Sequence, residues 1–97
     1  MNQYEILAKL KYLISNDKFN LINRRSESAY PISTDLVKEI VSQLDVSDFK
    51  KQELDRDRSG EFVWIYKTEF NEEIFYIKFK INNEGSWIKF ISFHISN

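Results

Sequence analysis

The chemically versatile side chains of this sequence gather in its second half. His94 is the only histidine among 97 residues, and Ser92 stands two places before it. Tyr76, Lys78 and Lys80 repeat the same spacing, which on extended backbone turns side chains to one face. Lys50-Lys51 and the run DRDRSG over residues 55–60, with Arg56 and Arg58, add further cations. An imidazole exchanges protons near neutrality, ammonium and guanidinium groups stabilise anionic charge, and a phenol positions or donates. Cleaving RNA without a metal needs these parts: a base for the 2′-hydroxyl, cations for the phosphorane-like charge, and an acid for the leaving 5′-oxygen. Aromatic rings on an open sheet also stack single-stranded bases.

Each residue taken singly has a plainer reading. A lysine on an open sheet face solvates it, and a tyrosine there is commonly a half-buried ring with a wet hydroxyl. Alternating charges such as DRDR form self-paired, solvated loops. Only the convergence of several such groups on one face argues for chemistry. Competing enzyme classes fit less well: the chain has no G-x-S-x-G, no glycine-rich phosphate loop and no paired-carboxylate pattern.

Composition sets the outer limits. Ninety-seven residues make one domain, spanning 1–97. A hydrophobic share of 42% with 15% aromatics suits a packed interior, and two Gly with one Pro leave regular elements and short loops. The absence of Cys removes disulfides and thiolate metal sites. With one His and no ligand spacing among the carboxylates, neither a metal nor another cofactor is expected. No apolar run reaches the ~18 residues of a membrane span, and MNQYEILAKLK lacks a signal-peptide layout, so a cytoplasmic protein is expected. The 14 basic and 15 acidic residues give a net charge of −1. Nucleic-acid binding therefore requires a local basic patch.

Two helices and a sheet must position the polar groups. Residues 4–14 carry an apolar stripe of Ile6, Leu7, Leu10, Leu13 and Ile14 at helical spacing. KFNLIN, 18–23, reads as a short strand. A second helix follows Pro31, with Ser33 as N-cap, Asp35 in its first turn and a stripe through Leu36, Val37, Ile40, Val41 and Leu44. Residues 62–70, 73–81 and 86–95 are three β-rich runs joined by Asn71-Glu72 and by 82–85, with a weaker strand at 51–56. The expected class is α+β, with two N-terminal helices packed on one face of an antiparallel sheet. Phe75, Ile77, Phe79 and Ile81 form the core row. Strict alternation then sends Ile91 and Phe93 to the core, and Phe90, Ser92 and His94 to the face of Tyr76 and Lys78.

The order of short motifs resembles a known family. L-x-x-S-D-F-x-K (Leu44, Ser47, Asp48, Phe49, Lys51), DRDRSGEFVWIY (55–66), YIKFKI (76–81) and ISFH (91–94) are similar to the MqsR family of bacterial toxins. KFNLINRR near the start resembles that family's first strand and the basic residues after it. The resemblance implies a RelE-like fold and an mRNA interferase: an endoribonuclease that cuts single-stranded mRNA and is silenced by a cognate antitoxin encoded beside it. The catalytic lysine after the D-F pair matches Lys51, with Lys50 one step away. The active tyrosine matches Tyr76, and the basic residue near the C-terminus matches His94, a lysine in some members. Where some members carry Gln after the strand Trp, this chain has Ile65, and Ser59 replaces a Pro. The expected catalytic set is Lys51, Tyr76, Lys78 and His94, with Lys50, Arg56, Arg58, Lys80 and Ser92 binding RNA and no metal. The alternative is a non-catalytic module that grips protein or RNA on the same scaffold.

Overall fold

The computed structural model describes residues 2–21, 32–55 and 61–96. Helix α1 (Gln3–Ser15) begins at Asn2, whose side-chain oxygen accepts from the Glu5 amide at 2.9 Å, while the Glu5 carboxylate accepts from the Asn2 amide. That reciprocal box satisfies two donors the first turn would leave unpaired. Strand β1 (Phe19–Leu21) follows. Helix α2 (Thr34–Gln43) is capped as its sequence predicts, with the Ser33 hydroxyl accepting from the Leu36 amide at 3.1 Å. A single 3-10 turn, Val46–Asp48, leads into β2 (Phe49–Leu54). Strands β3 (Phe62–Phe70), β4 (Glu73–Ile81) and β5 (Ile88–Ile95) complete the fold.

The class is α+β: among the described residues, two helices and one five-stranded sheet in the order β1-β5-β4-β3-β2. Strands β2 to β5 are antiparallel neighbours, but β1 runs parallel to β5, pairing Phe19 with Ile88 and Leu21 with Phe90. The sheet is thus mostly antiparallel rather than wholly so. Nor are the helices an N-terminal pair, because β1 lies between them in sequence and α2 starts only at Thr34. The β3–β4 hairpin turns at Asn71 and Glu72, both with positive φ (51° and 67°). Such a two-residue turn matches the right-handed twist of its flanking strands.

Both helices pack on one face of this sheet. Leu10 and Ile14 of α1 and Val37, Ile40 and Val41 of α2 share a core with Trp64, Tyr66, Ile77, Phe79, Ile88 and Phe90. Phe93 is half-buried at the margin of that core, its ring 5.3 Å from Phe90 and 6.2 Å from Phe75 between centroids.

Two expected facings are corrected, since Ile91 does not join the core and Phe90 does. Phe90 is not on the open face; it is 1% exposed and packs against Phe79. The cause is a β-bulge. Lys78 stands opposite Ser92 and Phe79 opposite Phe90, so Ile91 is an extra residue without a partner in β4. Below the bulge Ile88 and Phe90 face the helices. Above it Phe93 does, and Ser92 and His94 remain on the open face as predicted.

Tyr66 carries a discordant polar atom in this core. Its side chain is fully buried, and its hydroxyl finds no hydrogen-bond partner among the described residues. Burial pushes its pKa up to about 12, with the charge of Asp48 adding to the effect. The fold favours the neutral phenol. Its contribution is intact below the unfolded pKa of about 10 and is lost as pH rises from there toward 12, by roughly 2–3 kcal/mol. Tyr66→Phe should leave stability at neutral pH unchanged or raised, because it deletes an unpaired group. The same variant should lose less stability in the alkaline window, as chemical denaturation at pH 7 and 11 will read. Phe79→Ala should lower stability by about 3–5 kcal/mol through the cavity it leaves. A melt like the parent's would contradict the facing described here.

Candidate active site

The face opposite the helices is laid out by register. In one row Lys67 of β3 stands opposite Tyr76 of β4, and Tyr76 opposite His94 of β5. In the next, Lys51 of β2, Ile65, Lys78 and Ser92 follow one another across four strands. Beyond these, Glu53 faces Val63, and Lys80 faces Lys89. A second bulge aims the first of these lysines. Phe49 pairs with Tyr66 and Lys51 with Ile65, so Lys50 is the inserted residue. Without it Phe49 and Lys51 would share a face. With it, Phe49 packs into the core against Tyr66 (centroids 5.5 Å apart) and Lys51 turns to the open side.

The centre of this face is apolar. Val63 and Ile65, each 2% exposed, are buried yet stand apart from the helix-side core. Ile65 lies between Lys51 and Lys78 in register, and the aliphatic stems of lysines readily lie along such a surface with the ammonium in water. Charges above a floor of low polarisability interact more strongly than charges surrounded by water.

His94 is exposed, and its imidazole stacks on Tyr76 with ring centroids 5.3 Å apart and planes 18° from parallel. Nδ1 lies 3.0 Å from the Ile95 carbonyl oxygen. In the neutral ring that contact fixes the proton on Nδ1 and leaves Nε2 as the basic nitrogen. The Lys67 ammonium lies 6.0 Å from the centre of the Tyr76 ring, at the outer reach of a cation–π contact. Lys51 meets Glu53 at 2.6 Å. The hydrogen bond from Lys51 to that carboxylate, then its negative charge, and then Tyr76 hold the Lys51 pKa above the ordinary 10.5. Lys51 is therefore a cation at any physiological pH, suited to binding an anion and unsuited to taking a proton.

Lys80 is differently placed. Its side chain is 14% exposed and its ammonium engages Asp55 at 2.6 Å and Glu61 at 3.7 Å, where the Asp55 amide also donates to the Glu61 carbonyl oxygen. This ion cluster ties the end of β2 to the start of β3. Of the other expected residues, Tyr76, Lys78, Ser92 and His94 share the open face with Lys51, and Lys50 occupies the bulge. Arg56 and Arg58 lie outside the described residues. Two neighbours escaped the sequence reading, Lys67 and Glu53. Four consecutive buried residues, 63–66, hide the alternation of β3, and only the register reveals which way Lys67 points.

The motif order that suggested a family is matched by an independent comparison. The model of the family described as "Motility quorum-sensing regulator, toxin of MqsA" matches residues 3–95. The chain belongs to this MqsR toxin family. No curated protein matches the sequence. Membership makes the chain a toxin of a toxin–antitoxin system, with an antitoxin as its partner. Within this MqsR-family chain, neither helix among the described residues is long and apolar enough to cross a membrane.

The Lys51–Glu53 contact can be tested directly. Glu53→Gln removes the negative charge while keeping the shape. The Lys51 pKa should fall back toward 10.5, read from its side-chain carbon shifts in an NMR titration. An unchanged value would mean that the carboxylate does not set the state of Lys51.

Proposed function

We propose that this chain is a metal-independent endoribonuclease of RelE-like fold, an mRNA interferase acting in the cytoplasm and held in check by its antitoxin. The observation that carries the reading is the His94–Tyr76 stack beside Lys51, Lys78 and Ser92 on one open face. A non-catalytic sheet face would not need its single imidazole, a phenol and two lysines in adjacent rows.

In the proposed reaction His94 Nε2 takes the proton from a ribose 2′-hydroxyl. The O2′ oxygen attacks the adjacent phosphorus, and the bond from phosphorus to O5′ breaks. Tyr76 donates the proton that the departing 5′-oxygen requires, and proton exchange with solvent restores both side chains. Lys51 and Lys78 flank Ile65 and hold the phosphate oxygens as negative charge builds on them. Ser92, opposite Lys78, supplies a hydroxyl for the same oxygens. The products are a 2′,3′-cyclic phosphate and a 5′-hydroxyl. Lys50, Arg56 and Arg58 are the further cations assigned to RNA binding in this reading. Lys80 acts indirectly, since its ammonium is committed to Asp55 and Glu61.

The test is a cleavage assay on single-stranded RNA with EDTA present, across pH 5 to 9. The parent should cut and leave cyclic phosphate ends. His94→Gln should retain the fold and RNA affinity yet cut roughly 10²–10⁴-fold more slowly, the usual contribution of a placed acid–base group. Full activity in His94→Gln would remove the proton-transfer role. Loss of parental cleavage with EDTA would end the metal-free mechanism, and binding without any cleavage would return the face to a gripping module. In cells, induced expression should arrest growth, and co-expression of the antitoxin should relieve the arrest.

A further inference from the structure

We infer that Trp87 is a base-stacking subsite of the same open face, distant from the reacting phosphate and selective for the length of the bound strand. The inference rests on the ribonuclease reading above and adds a place where RNA is held without being cut.

The two tryptophans are in opposite situations. Trp64 is 8% exposed inside the core, whereas Trp87 is 37% exposed. Trp87 precedes Ile88, which is buried against the helices, so alternation turns Trp87 to the open side with Lys89. Its indole N–H donates to the Asn20 side-chain oxygen, and Asn20 stands opposite Lys89 in the β1–β5 register. The backbone around Trp87 is fixed as well. Its amide donates to the Asn82 side-chain oxygen at 3.2 Å, and its carbonyl oxygen accepts from the Asn82 amide at 3.0 Å.

With its one polar atom committed to Asn20, the side chain offers solvent only apolar ring. A ring already fixed loses little freedom when a ligand stacks on it. Every base presents a π-face, so such a platform takes any base and sets no sequence. The plainer role, pinning β1 to β5, accounts for the Asn20 bond. It leaves unexplained why so much of a large aromatic ring remains in water.

Position makes the platform useful. Trp87 and His94 lie near the two ends of β5, seven residues apart with one absorbed by the bulge, a separation of about 20 Å. The exposed Lys89 lies between them on the same face. An extended strand running from the His94–Tyr76 stack to Trp87 passes a cation on the way. That span matches the smallest single-strand sites of known folds, about four nucleotides.

Trp64 is buried, so a change of tryptophan emission on adding ligand reports Trp87. The probes are 2′-O-methyl RNAs of two and six nucleotides, which lack the attacking hydroxyl and stay intact. The six-mer should quench parental emission saturably, and the dinucleotide, if it binds, should not. Trp87→Ala should weaken six-mer binding by about 5- to 100-fold, the range for one stacked base, while Trp87→Phe stays close to the parent. Should Trp87→Ala fail to fold, parental emission and Trp87→Phe decide the matter. Six-mer binding with no change in emission, or with parental affinity in a folded Trp87→Ala, would overturn the subsite and leave the cleavage proposal standing. A parent that binds neither probe, or whose emission responds only to the antitoxin, would overturn the subsite; absence of both RNA binding and cleavage would overturn the ribonuclease reading too.

Discussion

Two single-residue insertions govern the layout of this molecule. A strand has period two, so every side chain's facing follows from its neighbour's unless a bulge intervenes. Ile91 is the extra residue in β5 and Lys50 the extra residue in β2. Remove the first and no register keeps Ile88 and Phe90 in the core while holding Ser92 and His94 in the open. Remove the second and either Phe49 leaves the aromatic cluster around Tyr66 or Lys51 enters it. Each bulge lets one strand serve the hydrophobic core along part of its length and the polar face along the rest. Bulges cost ladder hydrogen bonds and recur beside functional sites because they re-aim side chains.

The electrostatics follow from that layout. The chain as a whole is nearly neutral, at −1. Even so, the register places Lys51, Lys67, Lys78, Lys80 and Lys89 on the side away from the helices. Two of the five are partly spent at home: Lys80 on Asp55 and Glu61, Lys51 on Glu53. These two pairs differ in kind. Lys80 and Asp55 are about one-seventh exposed, so separating them strands a charge in a poorly solvated place, and the pair is architectural. Lys51 is 63% exposed, and an exposed pair of that sort is worth little. On the proposed reading, an incoming phosphate would compete with Glu53 for Lys51, and the weakness of an exposed pair favours that exchange.

Much of this was legible in the sequence, and what was not has identifiable causes. Both helices, the Asn71-Glu72 turn and the core row Phe75, Ile77, Phe79 follow from local spacing and cap chemistry, all of it contained within a few residues. Tyr76, Lys78, Ser92 and His94 were placed on one face because the hairpin pairs them near its open end, on the far side of the bulge from Phe90. Phe90 itself was misassigned, since a period-two pattern has no means of announcing an inserted residue. The parallel β1–β5 pairing was also invisible: Asn20 and Trp87 meet across 67 positions, and nothing local to either one encodes the partner. Lys80 looked like a free cation for the same reason, its partner Asp55 being 25 positions away. Long-range pairing was the missing information for β1, Trp87 and Lys80, whereas Lys67, only nine positions from Tyr76, was hidden by the buried run 63–66.

The position of His94 shows how the two faces depend on each other. Strand β1 covers the outer edge of β5 only at Ile88, Lys89 and Phe90. Past the bulge, among the described residues, β5 is laddered on one side alone, by β4. An edge held on one side is easily approached, which suits the polymer site proposed above, but it fixes side chains less firmly than a central strand. Two contacts compensate. Phe93, immediately before His94, inserts between Phe75 and Phe90 on the core side. On the open side the imidazole lies flat on Tyr76, with Nδ1 turned to the Ile95 carbonyl oxygen. The residue that anchors the strand and the residue that faces solvent are thus consecutive, one for each face. Among the described residues no strand flanks His94 on its outer side, and its orientation comes from the aromatic packing one residue earlier.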